Sequence, residues 1–288
     1  MIRLRPAHIA IGFLVCLILP GINPSSAAAD NPFAGLTRRL VAEGFAAERI
    51  QTLYNDPGRI FETEGVALFF VHSEARLNYA QFAAPEAIQR ARGYMARHRD
   101  ALAAAEAAHG VPAEVITGIL LVETRLGTYT GNRRVLSTLS TMAALSDPAV
   151  RQAFWEQIPP QRRISSDRFA ARAAAKSAWA YEELKAFLRF TAREGIDPMT
   201  VSGSYAGAMG ICQFMPSNAL RLALDGDGDG RVDLFDHADA IASVGNYLRH
   251  HRWRREMARE ERYRVILRYN YSKPYAETIL HIADQLAG

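Results

Sequence analysis

One carboxylate in this chain stands where a carboxylate is costly. In the stretch from Gly110 to Gly131, GVPAEVITGILLVETRLGTYTG, the residues Val115, Ile119, Val122 and Leu126 recur at spacings of 4, 3 and 4 and mark the core face of a helix. Ile116, Leu120, Glu123 and Gly127 run beside them, which puts Glu123 at the margin of that face, one turn before a residue with no side chain. A charge there must be paired or used, and partial burial raises its affinity for a proton. A carboxylic acid that keeps its proton near neutral pH is what cleavage of a glycosidic bond asks of a general acid. The plainer reading is a surface Glu turned outward and paired with Arg125 or a more distant arginine. Spacing alone favours the plainer reading, because most half-buried acids are structural partners.

Three further stretches carry chemistry-bearing residues. In Gly203 to Asn218, GSYAGAMGICQFMPSN, three glycines within eight residues allow close approach to something bulky or flat, and Ser204 and Gln213 supply neutral hydrogen-bonding groups. Tyr205 and Phe214 offer rings that could lie on sugar faces, although Phe214 and Met215 read more simply as core. The stretch Asp225 to Asp236, DGDGDGRVDLFD, places Asp225, Asp227 and Asp229 at positions 1, 3 and 5 of a twelve-residue loop, with Gly230 at the sharp-turn position 6. Arg231 would give its carbonyl at 7, Val232 is the apolar residue at 8, and Asp233 and Asp236 fall at 9 and 12. Hard oxygen ligands at alternate residues suit Ca²⁺, and a solvated acidic turn would not explain Gly230 and Val232 in register. A single loop without a pair points to a structural ion, and Asp for Glu at position 12 departs from the standard pattern. Near the C-terminus, Tyr269, Asn270, Tyr271 and Tyr275 gather around a turn, an aromatic and amide cluster that suits carbohydrate or a packed corner.

The elements that must position these residues read as helices. Gly110 closes one Ala-rich helix, and Pro112 opens the next in its first turn. Leu36 to Phe45, Ala47 to Tyr54 and Pro85 to His98 are amphipathic, Pro57-Gly58 reads as punctuation, and Ile60 to His72 is ambiguous between helix and strand. Leu136 to Leu145 is a short helix, residues 148 to 168 with Pro159-Pro160 read as an irregular excursion, and Ala170 to Glu194 is a long helix. Ala238 to Leu248 is helical, and the seven arginines between Arg249 and Arg264 read by default as a solvated helix face, or as one that meets acidic groups of a partner. The fold class expected is mainly α.

Residues 1–29 have the form of an export signal: Arg3 and Arg5, an apolar run from Ile9 to Leu19, and the small residues Ala27-Ala28-Ala29 before Asp30. A lipid anchor at Cys16 is the weaker option, since bulky Val15 precedes it and the apolar run continues past it. Removing the leader takes away two arginines and no acid, so the net charge falls from +4 to +2, which is no signature for a polyanion, and nucleic acid is not expected as a partner. Cys212 is then the one remaining cysteine, so no intramolecular disulfide is expected.

Together these stretches, with LNYAQF at Leu77 to Phe82 and YNYSKPY near the C-terminus, resemble the lytic murein transglycosylases of the B type, exported enzymes of the lysozyme superfamily. The resemblance covers roughly residues 35 to 285. It implies a lysozyme-like helical catalytic domain over 101–288 with an inserted EF-hand-like calcium loop at 225–236, preceded by an N-terminal helical region over 30–100. It implies Glu123 as the catalytic acid, with Ser204, Gln213, Asn270 and Tyr275 on the sugar, Tyr269 joining them as a substrate-binding residue, and Asp225, Asp227, Asp229, Arg231 and Asp236 on the metal. It also accounts for Asp at the last loop position. Leu126 stands where an aromatic is frequent, Ile211-Cys212 replaces a Tyr-Gly pair, and residues 148–178 are longer than usual. The implied activity is cleavage of the MurNAc–GlcNAc bond of peptidoglycan with formation of a 1,6-anhydro sugar, in the periplasm, with structural Ca²⁺ and no organic cofactor. Other cell-wall enzymes are conceivable partners of what is expected to be a monomer. The alternatives are a hydrolytic muramidase, which needs a second carboxylate, and a catalytically idle calcium-dependent wall-binding module.

Overall fold

A computed structural model of the protein describes residues 31–71 and 78–288. The expected leader with Cys16, and Leu77 of the LNYAQF word, lie outside the described residues. The chain is mainly α, as expected. In order it forms α1 (Ala34–Ala42), α2 (Ala47–Leu53), α3 (Pro57–Ile60), α4 (Thr63–Val71), a 3-10 turn (Tyr79–Phe82), α5 (Pro85–Arg97), α6 (Arg99–His109) and α7 (Ala113–Thr124). Then come β1 (Arg133–Arg134), α8 (Val135–Ala144), α9 (Pro148–Gln157), α10 (Ser166–Arg193), β2 (Ser202–Gly203), α11 (Pro216–Leu222), α12 (His237–His250), α13 (Arg259–Tyr269) and α14 (Lys273–Ala287). No single helix among the described residues is long and apolar enough to cross a membrane.

Helix α7 is the centre of the molecule. Every residue from Val115 to Val122 is buried, so the apolar stripe expected from spacing is in fact a helix enclosed on all sides, packed by α5, α6, α12 and α14. Gly118 is what admits α14 so closely: a Cβ there would lie 3.5 Å from the Ile279 carbonyl oxygen. Gly110 ends α6 in the left-handed conformation with φ 70°. Pro112 stands one residue outside α7, as its cap, and not in its first turn.

Helix α8 is the second buried axis. All its residues from Val135 to Ala144 are buried, between α10 on one side and α1, α3 and α4 on the other. The Tyr54 hydroxyl and Ser140 Oγ meet at 2.6 Å and tie the N-terminal helices to it. Buried residues from Phe33 to Ala283 form one continuous core, to which each enclosed Leu, Ile or Phe contributes roughly 1.5–3 kcal/mol.

Three expectations need correction. Pro57-Gly58 does not break the chain but opens α3, where Asp56 Oδ1 accepts the Arg59 N–H at 3.2 Å. The ambiguous stretch from Ile60 forms helix α4 over Thr63–Val71, which packs on α8 with Ile60, Val66 and Phe70 buried and is not laddered in a sheet. Residues 148–168 are irregular only in part: 158–165 hold a 3-10 turn (Pro160–Arg162) between helices, but Asp147 caps α9 by accepting from Ala149 N at 2.8 Å, and Phe154 stacks on Phe169 at 5.7 Å and 4°. Pro148 fits the first turn, where its missing N–H costs nothing, so the proline starts this helix.

Candidate active site and metal loop

The end of α7 puts Glu123 at the surface. Three successive residues, Arg125, Leu126 and Gly127, have φ of 52°, 63° and 85°, a left-handed run that stops the helix within one turn of the acid. Thr124, buried beside it, holds this end: its hydroxyl donates to the Ile211 carbonyl at 2.8 Å and accepts the Gly127 N–H at 2.9 Å. Glu123 itself is half-buried.

Two cavities meet at Glu123. One, of about 680 Å³, is walled by Tyr79 and Phe82 from the 3-10 turn, by Tyr129, and by Asn270 and Tyr275. The other, of about 390 Å³, is walled by Gly131, Asn132, Arg133, Ser204 and Gln213. Glu123, Tyr129 and Tyr205 line both, so the carboxylate stands at the middle of one groove. No other Asp or Glu lines either cavity among the described residues.

Tyr275 reaches Glu123 from α14. Its hydroxyl donates to Glu123 Oε1 at 2.7 Å, and Ser272 Oγ caps the start of that helix by accepting the Tyr275 N–H. Burial, and next the Glu123 charge, hold the Tyr275 hydroxyl well above the ordinary phenol range, so it stays a proton donor. Tyr269 stacks behind it at 6.5 Å and 9°, with its hydroxyl on the Cys212 carbonyl at 2.6 Å. It therefore lines neither cavity and acts through Tyr275 and the Cys212 turn. Asn270 is on the wall of the larger cavity.

Ser204 and Gln213 face the smaller cavity, and both are partly committed to the protein. Ser204 Oγ accepts the N–H groups of Ala206 at 3.2 Å and Ala208 at 3.1 Å. Gln213 Nε2 donates to the carbonyls of Thr130 at 3.0 Å and Gly210 at 2.9 Å, which leaves Oε1 as its acceptor for a ligand. The pairing of Arg133 with Gly203 in the two-stranded sheet brings both walls together. Gly203 lines the smaller cavity, and the glycines of this segment also serve close packing within the protein. A Cβ on Gly203 would lie 2.1 Å from the Ala208 carbonyl oxygen, and one on Gly210 would lie 2.4 Å from Leu234 Cβ. Phe214 is core, against Tyr247 and Tyr269. Burial pushes the Cys212 thiol up to about 12, so it is no nucleophile.

Sequence reasoning missed Tyr79, Phe82 and Tyr129. Tyr79 and Phe82 sit in the N-terminal third, which reads as scaffold, and reach the groove only because their turn packs on α14. The signal that could have marked them was the LNYAQF word itself.

In the acidic loop the carboxylates converge as the spacing demands. Oxygens of Asp225, Asp227 and Asp229 lie within 4.8 Å of one another, as do those of Asp227, Asp236 and Asp239. Gly228 and Gly230 turn the chain with φ of 81° and 89°. Asp225 accepts from Gly228 N at 2.6 Å and Gly230 N at 2.8 Å, and these bonds hold its carboxyl below the usual range. Asp236 also caps α12 through Ala238 N at 2.6 Å. Asp239, which the sequence does not single out, is buried and braces the loop, accepting from Gly226 N at 2.7 Å and Asp233 N at 2.6 Å. The donors are hard oxygens around a glycine turn, so the residues present fit a divalent cation of the Ca²⁺ type.

Comparison with known proteins places this arrangement. A family model described as the transglycosylase SLT domain matches residues 28–262. Membrane-bound lytic murein transglycosylase B of Escherichia coli is 36% identical over 173 residues, which is 60% of this chain and 40% of that protein's length. The crystal structure of soluble lytic transglycosylase SltB1 from Pseudomonas aeruginosa superposes with a TM-score of 0.70 at 26% identity, over 88% of this chain and 97% of that one. Escherichia coli lytic transglycosylase Slt35 in complex with calcium superposes with a TM-score of 0.70 at 24% identity, over 90% of this chain and 94% of that one.

Proposed function

Since the chain belongs to the transglycosylase SLT family, we propose that it is a lytic transglycosylase that cleaves the MurNAc–GlcNAc β-1,4 bond of peptidoglycan. Glu123 donates a proton to the leaving glycosidic oxygen. The substrate's 2-acetamido group stabilises positive charge at the anomeric carbon, with Ser204, Gln213 and Asn270 as neutral partners for the sugar. Glu123, now a carboxylate, takes the proton of the 6-hydroxyl of the same sugar as that oxygen closes the 1,6-anhydro ring. Tyr275 holds the carboxylate in one orientation through both steps.

The observation that carries this reading is the single acid at the junction of the two cavities. Hydrolysis of either stereochemistry uses a second carboxyl group, about 5–5.5 Å or 6.5–9.5 Å away. Glu62, whose partner Arg133 lines the smaller cavity, itself lines neither cavity and is committed to that ion pair at 2.9 Å.

The family resemblance and the convergent carboxylates support a structural Ca²⁺ held by Asp225, Asp227, Asp229 and Asp236 with the Arg231 carbonyl. A cation there neutralises close like charges and fixes the loop; no step of the reaction passes through it. Export by the 1–29 leader to the periplasm, a monomeric state, and the division into an N-terminal region over 30–100 and a catalytic domain over 101–288 belong to the same proposal.

The test is Glu123→Gln on purified peptidoglycan. The amide keeps the size of the side chain but cannot donate the proton, so turnover falls by at least about 10²-fold in a variant that melts like the parent. Mass analysis of the parent's products is the second arm: anhydro ends are about 18 Da lighter than reducing ends, one water by the chemistry above. Reducing ends would mean hydrolysis, and a well-folded active Gln variant would remove Glu123 from the reaction.

A further inference from the structure

The groove at Glu123 is not the one large concavity among the described residues. A concave site of about 900 Å³ lies between α6, α12 and α13, and it shares no lining residue with either cavity at the acid. Six arginines line it: Arg249, Arg252, Arg254, Arg255, Arg264 and Arg268. The one acid in its wall, Glu261, is taken by Arg254 at 2.9 Å and by the Ala258 N–H. Among the described residues, Arg249, Arg252, Arg255 and Arg268 are in no ion pair.

This is not the solvated helix face that the run of arginines suggests. Residues 251–258 form a loop, and Trp253 anchors it, buried with its Nε1 on the Gly110 carbonyl at 3.1 Å. Arg252 and Arg254, on either side of that anchor, are consequently exposed, and Arg252 is held at φ 73°. Arg249 and Arg268 suit the helix C-terminal turns in which they lie, but the dipole does not account for the other four. Guanidinium groups converging from three elements on one concavity, short of acids, form a receptor for carboxylate or phosphate groups.

We propose that this cavity is a second substrate site, which takes the free carboxylates of a peptidoglycan peptide branch. The inference rests on the peptidoglycan substrate proposed above. A peptide fits better than a lipid surface, because the cavity is concave and none of the exposed large apolar residues, Val41, Tyr129, Phe235 and Tyr271, belongs to it. Since the two sites have separate walls, the branch it holds is not on the sugar being cleaved but elsewhere on that strand or on a neighbour. The two sites are also mechanically joined. The Arg268 carbonyl accepts the Tyr247 hydroxyl at 2.6 Å, Tyr247 packs on Tyr269 at 4.8 Å, and Tyr269 stacks on Tyr275, which holds Glu123.

The full chain carrying Arg252→Glu and Arg255→Glu tests this, because both side chains are exposed and neither borders the groove. Binding of an isolated stem tetrapeptide is measured by calorimetry, and turnover is measured on peptide-bearing glycan and on the same glycan stripped of peptide by an amidase. The double variant is expected to bind the tetrapeptide at least about tenfold more weakly and to show a KM on peptide-bearing glycan raised by a similar factor. Its turnover of stripped glycan stays that of the parent, and added salt abolishes the difference. Equal tetrapeptide binding by parent and variant overturns the proposal, as does an equal loss on both glycans. Loss of binding to phosphatidylglycerol vesicles with tetrapeptide binding unchanged also overturns it, and assigns the arginines to a membrane. A parent that binds the tetrapeptide but cleaves no glycan leaves this site standing and removes the proposed activity instead.

Discussion

Replacing Tyr275 by Phe isolates one bond in the proposed machinery. The hydroxyl sits 2.7 Å from Glu123 Oε1, while the ring is held by Tyr269 at 6.5 Å and 9° and by Tyr79 edge-on at 6.3 Å. Phenylalanine keeps both ring contacts, so the melting temperature should stay near that of the parent. What is lost is a hydrogen bond to a charged acceptor, about 1.5–3 kcal/mol in general. Glu123 is half-exposed, so water can replace part of that bond and the lower figure applies, which is about a tenfold fall in rate. Because Tyr275 acts through Glu123, the fall belongs in kcat, with KM little changed. The assay is the release of soluble fragments from peptidoglycan over a range of substrate concentrations, beside a thermal melt. A folded Phe variant with the parent's kcat would refute the role given to this hydroxyl. A change confined to KM would make Tyr275 a binding residue and nothing more.

Two further outcomes are expected. Chelation should lower the melting temperature and Ca²⁺ restore it, since a ligand at a hundredfold excess over its Kd adds about 2.7 kcal/mol; Asp229→Ala should abolish that response, and a metal-free protein indifferent to Ca²⁺ would remove the site. Thr124→Val keeps the shape of a buried residue but strips the Ile211 carbonyl and the Gly127 N–H of their partner, so it should cost about 2 kcal/mol by denaturant titration and lower kcat as the helix end loosens; a neutral Val variant would show that Thr124 does not hold this turn.

What the sequence discloses about the site depends on whether the chemistry is local. The proposed metal loop stands out in the sequence because its acids come from twelve consecutive residues, and alternating acids around a glycine have few other uses. Glu123 stands out as the charge at the end of an apolar run, but spacing alone favours the plainer reading and its role comes from the family resemblance. Asp239 does not stand out, since an acid in the first turn of a helix is ordinary for the dipole; that its two oxygens brace Gly226 and Asp233 is a fact of tertiary folding. Tyr79 and Phe82 escape for the same reason, being brought to the groove by α14 from almost two hundred residues away. The glycines from Gly203 to Gly210 read as room for close approach to something bulky, and the protein itself supplies the approach: the Ala208 carbonyl at Gly203, the Leu139 side chain at Gly207 and Leu234 at Gly210. Spacing can report that a position must be small, but not what lies against it.

A chain of direct bonds links the acidic loop to the proposed catalytic acid. Leu234, inside the loop, accepts the Ile211 N–H on its carbonyl at 2.8 Å. The Ile211 carbonyl in turn takes the Thr124 hydroxyl, and Thr124 follows Glu123 in the chain. Gly210 lets this contact form, since any side chain there would strike Leu234. The neighbouring Cys212 carbonyl receives Tyr269, on which Tyr275 stacks before it reaches Glu123 from the other side. Two routes therefore converge on one carboxylate from the Gly210 to Gln213 turn, and the loop fixes that turn. An acid that must donate a proton at one oxygen and then accept one at another gains from being held on both sides, because each misplacement would be repeated in both steps. In this arrangement the five acids of the loop do no chemistry on the sugar. A cation held there, as proposed above, would give rigidity to the turn against which Glu123 is set.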